Sequence, residues 1–188
     1  MLERLIAIKA LIALDDKRLN EISHKISNAD SIWPEKIARS AILHLFPGHM
    51  SIQQLGQSLR WLKNEEPSDF ISWQLSSKIN SSNLNNHQLK TLQAELYKLI
   101  SEGLLWEQDR TKLTSSRSYL RESLAATCNL TADTGIDQQW LDAVALSLCI
   151  DEHHSHHTET QKLLLKAKNL SRSEERRVGK ECRSRWSP

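Results

Sequence analysis

Residues 86–114 read NHQLKTLQAELYKLISEGLLWEQDRTKLT, and the fold class turns on them. Leu89, Leu92, Leu96, Leu99 and Ile100 recur at helical spacing, which predicts an amphipathic helix capped by Asn85 or Asn86. Gly103 stands where a left-handed C-terminal cap belongs. Leu104, Leu105 and Trp106 then predict a short strand, the polar run Glu107 to Arg110 a reversal, and Lys112 to Thr114 a returning strand.

Upstream, Leu2, Leu5, Ile6, Ile8, Leu11, Ile12 and Leu14 form a wide apolar stripe that Leu19, Ile22 and Ile26 continue, predicting one long N-terminal helix. Pro34 opens the next helix, which buries Ile37, Ala38, Ala41, Ile42 and Leu45 and stops at Pro47-Gly48. Ser51 and Gln54 have the spacing of a capping box before Ile52, Leu55 and Leu59. A further short helix is expected from Phe70 to Ile79. Downstream, Ser115 or Ser116 caps a helix through Tyr119, Leu120 and Leu124, and a last long helix runs from Ile136 through Trp140, Val144 and Leu148 towards Leu165.

Composition agrees with a helical chain. Of 188 residues, 39% are hydrophobic and 26% charged, and five glycines and four prolines are too few for the frequent turns of a sandwich or barrel. No apolar run reaches the roughly 18 residues of a membrane span, and charge at Glu3 and Arg4 interrupts any secretory pattern, so the reading is a cytoplasmic protein with no membrane partner. Five tryptophans (Trp33, Trp61, Trp73, Trp106, Trp140) precede residue 171 and suit core or interface anchors.

The tail differs from everything before it. Arg172 to Pro188, RSEERRVGKECRSRWSP, resembles letter for letter one reading frame of a common short-read sequencing-library adapter. The resemblance implies a non-native tail at 172–188 and a natural chain that continued past Ser171. The run holds six basic and three acidic residues, so setting it aside moves the formal charge from +2 to −1. Cys128 and Cys149 then remain, outside any C-x-x-C, as expected of reduced thiols.

The order of helix, capped helix, helix, Gly-Leu-Leu strand, polar turn and strand over roughly residues 34–120 is similar to the winged helix-turn-helix family. Ala38, Ile42 and Leu45, then Ser51, Ile52, Leu55 and Leu59, then Leu89 to Ile100, Ser101-Glu-Gly-Leu-Leu105 and Lys112 to Thr114 carry the likeness. It implies a mainly α fold, a winged-helix-like core of three helices plus a small β-hairpin, flanked by long N- and C-terminal helices. The corresponding parts are residues 1–30 as a dimerising helix, 31–127 as the core with an insertion at 60–85, and 128–171 as a C-terminal helical segment.

The functional expectation is a DNA-binding or regulatory protein of bacterial or mobile-element type, a homodimer acting on duplex DNA without a cofactor. Asn86, His87, Lys90 and Thr91 would read bases from the start of the third helix, and Arg110, Lys112 and Arg117 would hold phosphates. The chain departs from the family in the long connection at 60–85, and in Glu95 and Glu102 offsetting Lys90 and Lys98. The alternative use of this scaffold is contact with a protein partner.

Two constellations carry other chemistry. Arg39-Ser-Ala-Ile-Leu-His44 has the R-x4-H form that resembles HEPN ribonucleases, in which Arg39 would hold a phosphate and His44 would move a proton. Cys149, His153, His156 and His157 lie at helical spacings that could present one metal ion with ligands. The surface reading of each stands beside it: a helix-terminal His44 favouring the dipole, and a solvated His-rich helix. No phosphate-binding loop, dinucleotide fingerprint or serine-hydrolase elbow occurs.

Overall fold

A computed structural model describes residues 2–62, 70–106, 113–134, 136–150 and 158–169. In chain order it comprises α1 (Leu2–Ala13), α2 (Arg18–Ser27), α3 (Glu35–Leu45), α4 (Ile52–Trp61), α5 (Phe70–Ser81) and α6 (Asn86–Glu102). Two three-residue strands follow, β1 (Leu104–Trp106) and β2 (Leu113–Ser115), then α7 (Arg121–Thr131) and α8 (Gln138–Cys149). A further helix, α9, covers residues 158–169.

The class is mainly α, but the expected winged-helix core between long terminal helices is not what forms, and among the described residues a β-hairpin wing is not seen. Extended pairing is limited to Leu104 with Ser115, Leu105 with Thr114 and Trp106 with Leu113. Residues 107–112, on which the tip of a wing would fall, lie outside the described residues. The ladder is tied back onto the end of α6: the Ser115 hydroxyl donates to the Ile100 carbonyl at 2.9 Å, and Arg117 Nη1 donates to that of Leu99 at 3.1 Å. The Ile100 carbonyl also accepts from the Gly103 amide at 3.1 Å, so the segment after β2 straps the C-terminus of α6.

Both long terminal helices are also corrected. Asp15 takes a left-handed backbone with φ 50°, and Asp16 accepts from the Arg18 amide at 2.9 Å, so the N-terminal stripe bends into α1 and α2. The last helix ends at Cys149, where Ile150 is extended at ψ 127°. Gly103 is not left-handed, at φ −101°. A Cβ there would lie 2.5 Å from Ser116 Oγ, so close approach of the strap explains the glycine.

Local capping forms where its spacing stands in the chain. Ser51 with Gln54 and Asn85 with Gln88 both complete reciprocal capping boxes, at the starts of α4 and α6. The core then assembles around α7, which packs on α5, α6 and α8. Leu75 and Ile79 of α5 are fully buried, so the 60–85 stretch supplies core side chains, and α7 runs continuously through position 127/128. Trp61 and Trp140 donate their indole N–H groups to the Ile26 and Cys128 carbonyls, as core anchors do.

α7 is buried along nearly its whole length although its sequence is RESLAATCNLT. Most of its polar groups are paired, the Ser123 hydroxyl and Asn129 Oδ1 being the exceptions. Arg121 Nε donates to the Ser147 carbonyl at 2.6 Å, and Thr127 and Thr131 donate back to α7 carbonyls. The Glu122 carboxylate accepts from the Glu159 amide at 2.8 Å and from the Thr160 hydroxyl, which makes it a distant cap for α9. Asn129 donates to the Glu159 carbonyl and carboxylate at 2.9 and 3.0 Å.

Two substitutions check this architecture. Leu75→Ala should cost about 2–5 kcal/mol in chemical denaturation, as a buried leucine does, and a peripheral insertion would lose far less. Glu122→Ala should cost about 1–3 kcal/mol by leaving buried donors unpaired, and hydrogen exchange should quicken across α9 before the rest of the fold.

Candidate functional site

Of the residues nominated for nucleic acid, the described ones do not form one basic surface. Asn86 and His87 are exposed on the first turn of α6, beside the Asn85 cap. Thr91 donates to the His87 carbonyl at 2.9 Å, within its own helix. Lys90 Nζ holds Asp137 Oδ2 at 2.8 Å, and Asp137 in turn caps α8 by accepting from the Trp140 amide at 2.8 Å. Arg117 sits at the other end of α6, roughly 24 Å away along a helix of this length, near Glu102 at 3.6 Å. Arg110 and Lys112 lie outside the described residues.

The rest of the outer side of α6 is neutralised from α4. Arg60 reaches Glu95 at 2.8 Å and Glu102 at 3.4 Å. Gly56 permits this crossing, because a Cβ there would fall 2.2 Å from Glu95 Oε1. Lys98 is exposed on this side without an ion pair among the described residues, while Arg60 and Lys90 already hold carboxylates and have less to exchange for phosphate.

The Arg39 and His44 pair is separated in role by its surroundings. Arg39 holds Glu35 at 2.6 Å, one helical turn earlier. His44 is half-buried at the end of α3, and its proton affinity is lowered below the usual histidine range, first by burial and then by the ammonium groups of Lys9 and Lys78. Its imidazole is therefore neutral near pH 7. Of the metal candidates, His153, His156 and His157 lie outside the described residues, and Cys149 is exposed at the end of α8. Among the described residues no three His, Cys, Asp or Glu side chains are grouped to hold a metal ion. Cys128 is buried, and burial pushes its thiol up to about 12 against the opposing bond from Gln93, so it is not a nucleophile at neutral pH.

What the sequence reading missed is the pair of lysines around His44. Lys9 comes from α1 and Lys78 from α5, both packed on α3. Neither forms an ion pair among the described residues. Lys9 interrupts an apolar stripe and Lys78 follows a serine pair, and no spacing links either to position 44.

Comparison with family models, curated proteins and solved structures finds no match. The site is therefore read from its own chemistry. Among the described residues, no helix is long and apolar enough to cross a membrane.

Because the folded state disfavours protonated His44, the unfolded chain binds that proton more tightly. The His44 contribution to stability should hold above the ordinary histidine pKa of 6.5 and diminish as pH falls through and below it. NMR titration should place the His44 midpoint below 6.5, and Lys78→Ala should raise it.

Proposed function

We propose that this chain is a non-enzymatic interaction protein that assembles with a second copy of itself through the outer face of α1. The observation that carries this reading is that α1 bears apolar residues on both sides, with Glu3, Arg4 and Lys9 as its charged residues, while only one side meets the core. Ile8 is buried, and Leu5, Leu11 and Ile12 pack against the core from partly buried positions. On the opposite side Ile6 is 56% exposed, Ala7, Ala10 and Ala13 are exposed, and Leu14, just past the helix, is 74% exposed. A helix apolar on both sides is ordinarily covered on both.

A second copy suits this face. The small alanines around Ile6 let a like helix approach closely, and a two-fold contact between identical patches is the commonest route to a soluble oligomer. The thiols Cys128 and Cys149 are both free, which suits a reducing, cytoplasmic setting.

The reading as a DNA-binding regulator through α6 keeps Asn86 and His87 as exposed groups, but Lys90 and Arg117 already engage acidic groups. That balance favours protein contact as the primary role of the scaffold. Light scattering after size exclusion should give the mass of a dimer for the full chain. Ile6→Glu and Ala10→Glu should each give a monomer with unchanged helical circular dichroism, and a monomeric parent would end the proposal.

A further inference from the structure

Arg39, Arg60, Lys90 and Arg117 each have an acidic partner within 4 Å, yet a group of cations on α3 and its neighbours has none among the described residues. Lys36, Ser40 and His44 follow one another at four-residue steps and so share one stripe of α3. Lys9 of α1 and Lys78 of α5 both act electrostatically on His44, from helices that pack directly on α3. Lys9, Lys36 and Lys78 have no ion pair among the described residues. Lys9 and Lys36 are exposed, and Lys78 and His44 are half-buried. Like charges brought together by folding repel one another, and an anion laid across them removes that cost.

We infer that the surface formed by α1, α3 and α5 binds the phosphodiester backbone of nucleic acid, with Lys9, Lys36 and Lys78 neutralising phosphates and a ring N–H of His44 donating to a phosphate oxygen. Lys36 and His44 are eight residues apart, about 12 Å along the helix. That span is too long for one phosphate and suits successive phosphates of a strand. A lipid surface fits less well, because it would need apolar side chains to insert beside the lysines. Of the exposed large hydrophobic residues, Ile6 and Leu14 lie on the α1 side read above as the self-association face, and none lies on α3 or the described part of α5. This inference does not depend on self-association through α1.

The test uses the full chain and fluorescein-labelled oligonucleotides of mixed sequence, one single-stranded and one duplex, followed by anisotropy between about 50 and 200 mM salt. Binding to either form is expected, with log K falling linearly against log salt, and the better-bound form identifies the nucleic acid. The Lys9→Ala/Lys78→Ala double variant should lose about tenfold in affinity at low salt and flatten the slope by about one for each lysine removed. Lys9→Arg/Lys78→Arg should retain binding, which separates lost charge from lost fold. Lys90→Ala, whose cation already holds Asp137, should bind like the parent. Affinity should rise as pH falls below the histidine range, and His44→Gln should abolish that rise. No binding by the parent, equal loss in Lys90→Ala, an unchanged slope in the double alanine variant, or binding confined to phosphatidylserine vesicles would each overturn the inference.

Discussion

The fold depends on satisfying the polar groups of one buried helix. α7 occupies the centre of the bundle although Arg121, Glu122, Ser123, Thr127, Asn129 and Thr131 are all buried on it. Burying such groups is unfavourable unless they find partners, and apart from the Ser123 hydroxyl and Asn129 Oδ1 they do. Here the threonines fold back on their own helix, Arg121 bonds across to α8, and Glu122 and Asn129 reach α9. Small Ser123, Ala125 and Ala126 let the neighbouring helices come close, so dispersion and hydrogen bonding reinforce one another. The docking of α9 is thus a condition of leaving Glu122 buried, not an addition to a finished core.

Charge is distributed by the same economy. On the outer side of α6, acidic and basic residues from α4, α6 and the segment after β2 engage one another, and the helix that looked suited to reading DNA is instead locked to its neighbours. Lys90 and the Asp137 cap join the starts of α6 and α8. Lys9, Lys36 and Lys78, which have no ion pair among the described residues, lie on α3 and on two helices that meet it only through tertiary packing. Apolar surface is left over on the outer side of α1, where core contact accounts for only half of the hydrophobic residues, and also at Ile136, Leu141, Leu164 and Leu165.

Much of the local structure was legible. Leu89, Leu92, Leu96, Leu99 and Ile100 turned one face of α6 inward as their spacing required, and both capping boxes formed because their partners are three residues apart. The breaks in the terminal helices were less legible, since Asp15 and Asp16 sit inside a stripe whose apolar period continues beyond them. The likeness to a wing failed for a related reason. Gly103 and the leucines after it do form a short ladder, but Ser115 and Arg117 tie it to the end of α6, and no local pattern announces bonds to Ile100 and Leu99.

The chain by itself determined that the protein is mainly helical, where α3, α4 and α6 begin, and which of their faces turn inward, because capping and amphipathic periodicity act within a few residues. Only the tertiary structure decided that a polar segment would become the central helix, that Lys90 and Arg117 would engage acidic partners, and that Lys9 and Lys78 would flank His44. Those outcomes depend on contacts between residues some 15 to 47 positions apart. Burial and charge compensation act through space, so a one-dimensional pattern carries no record of them.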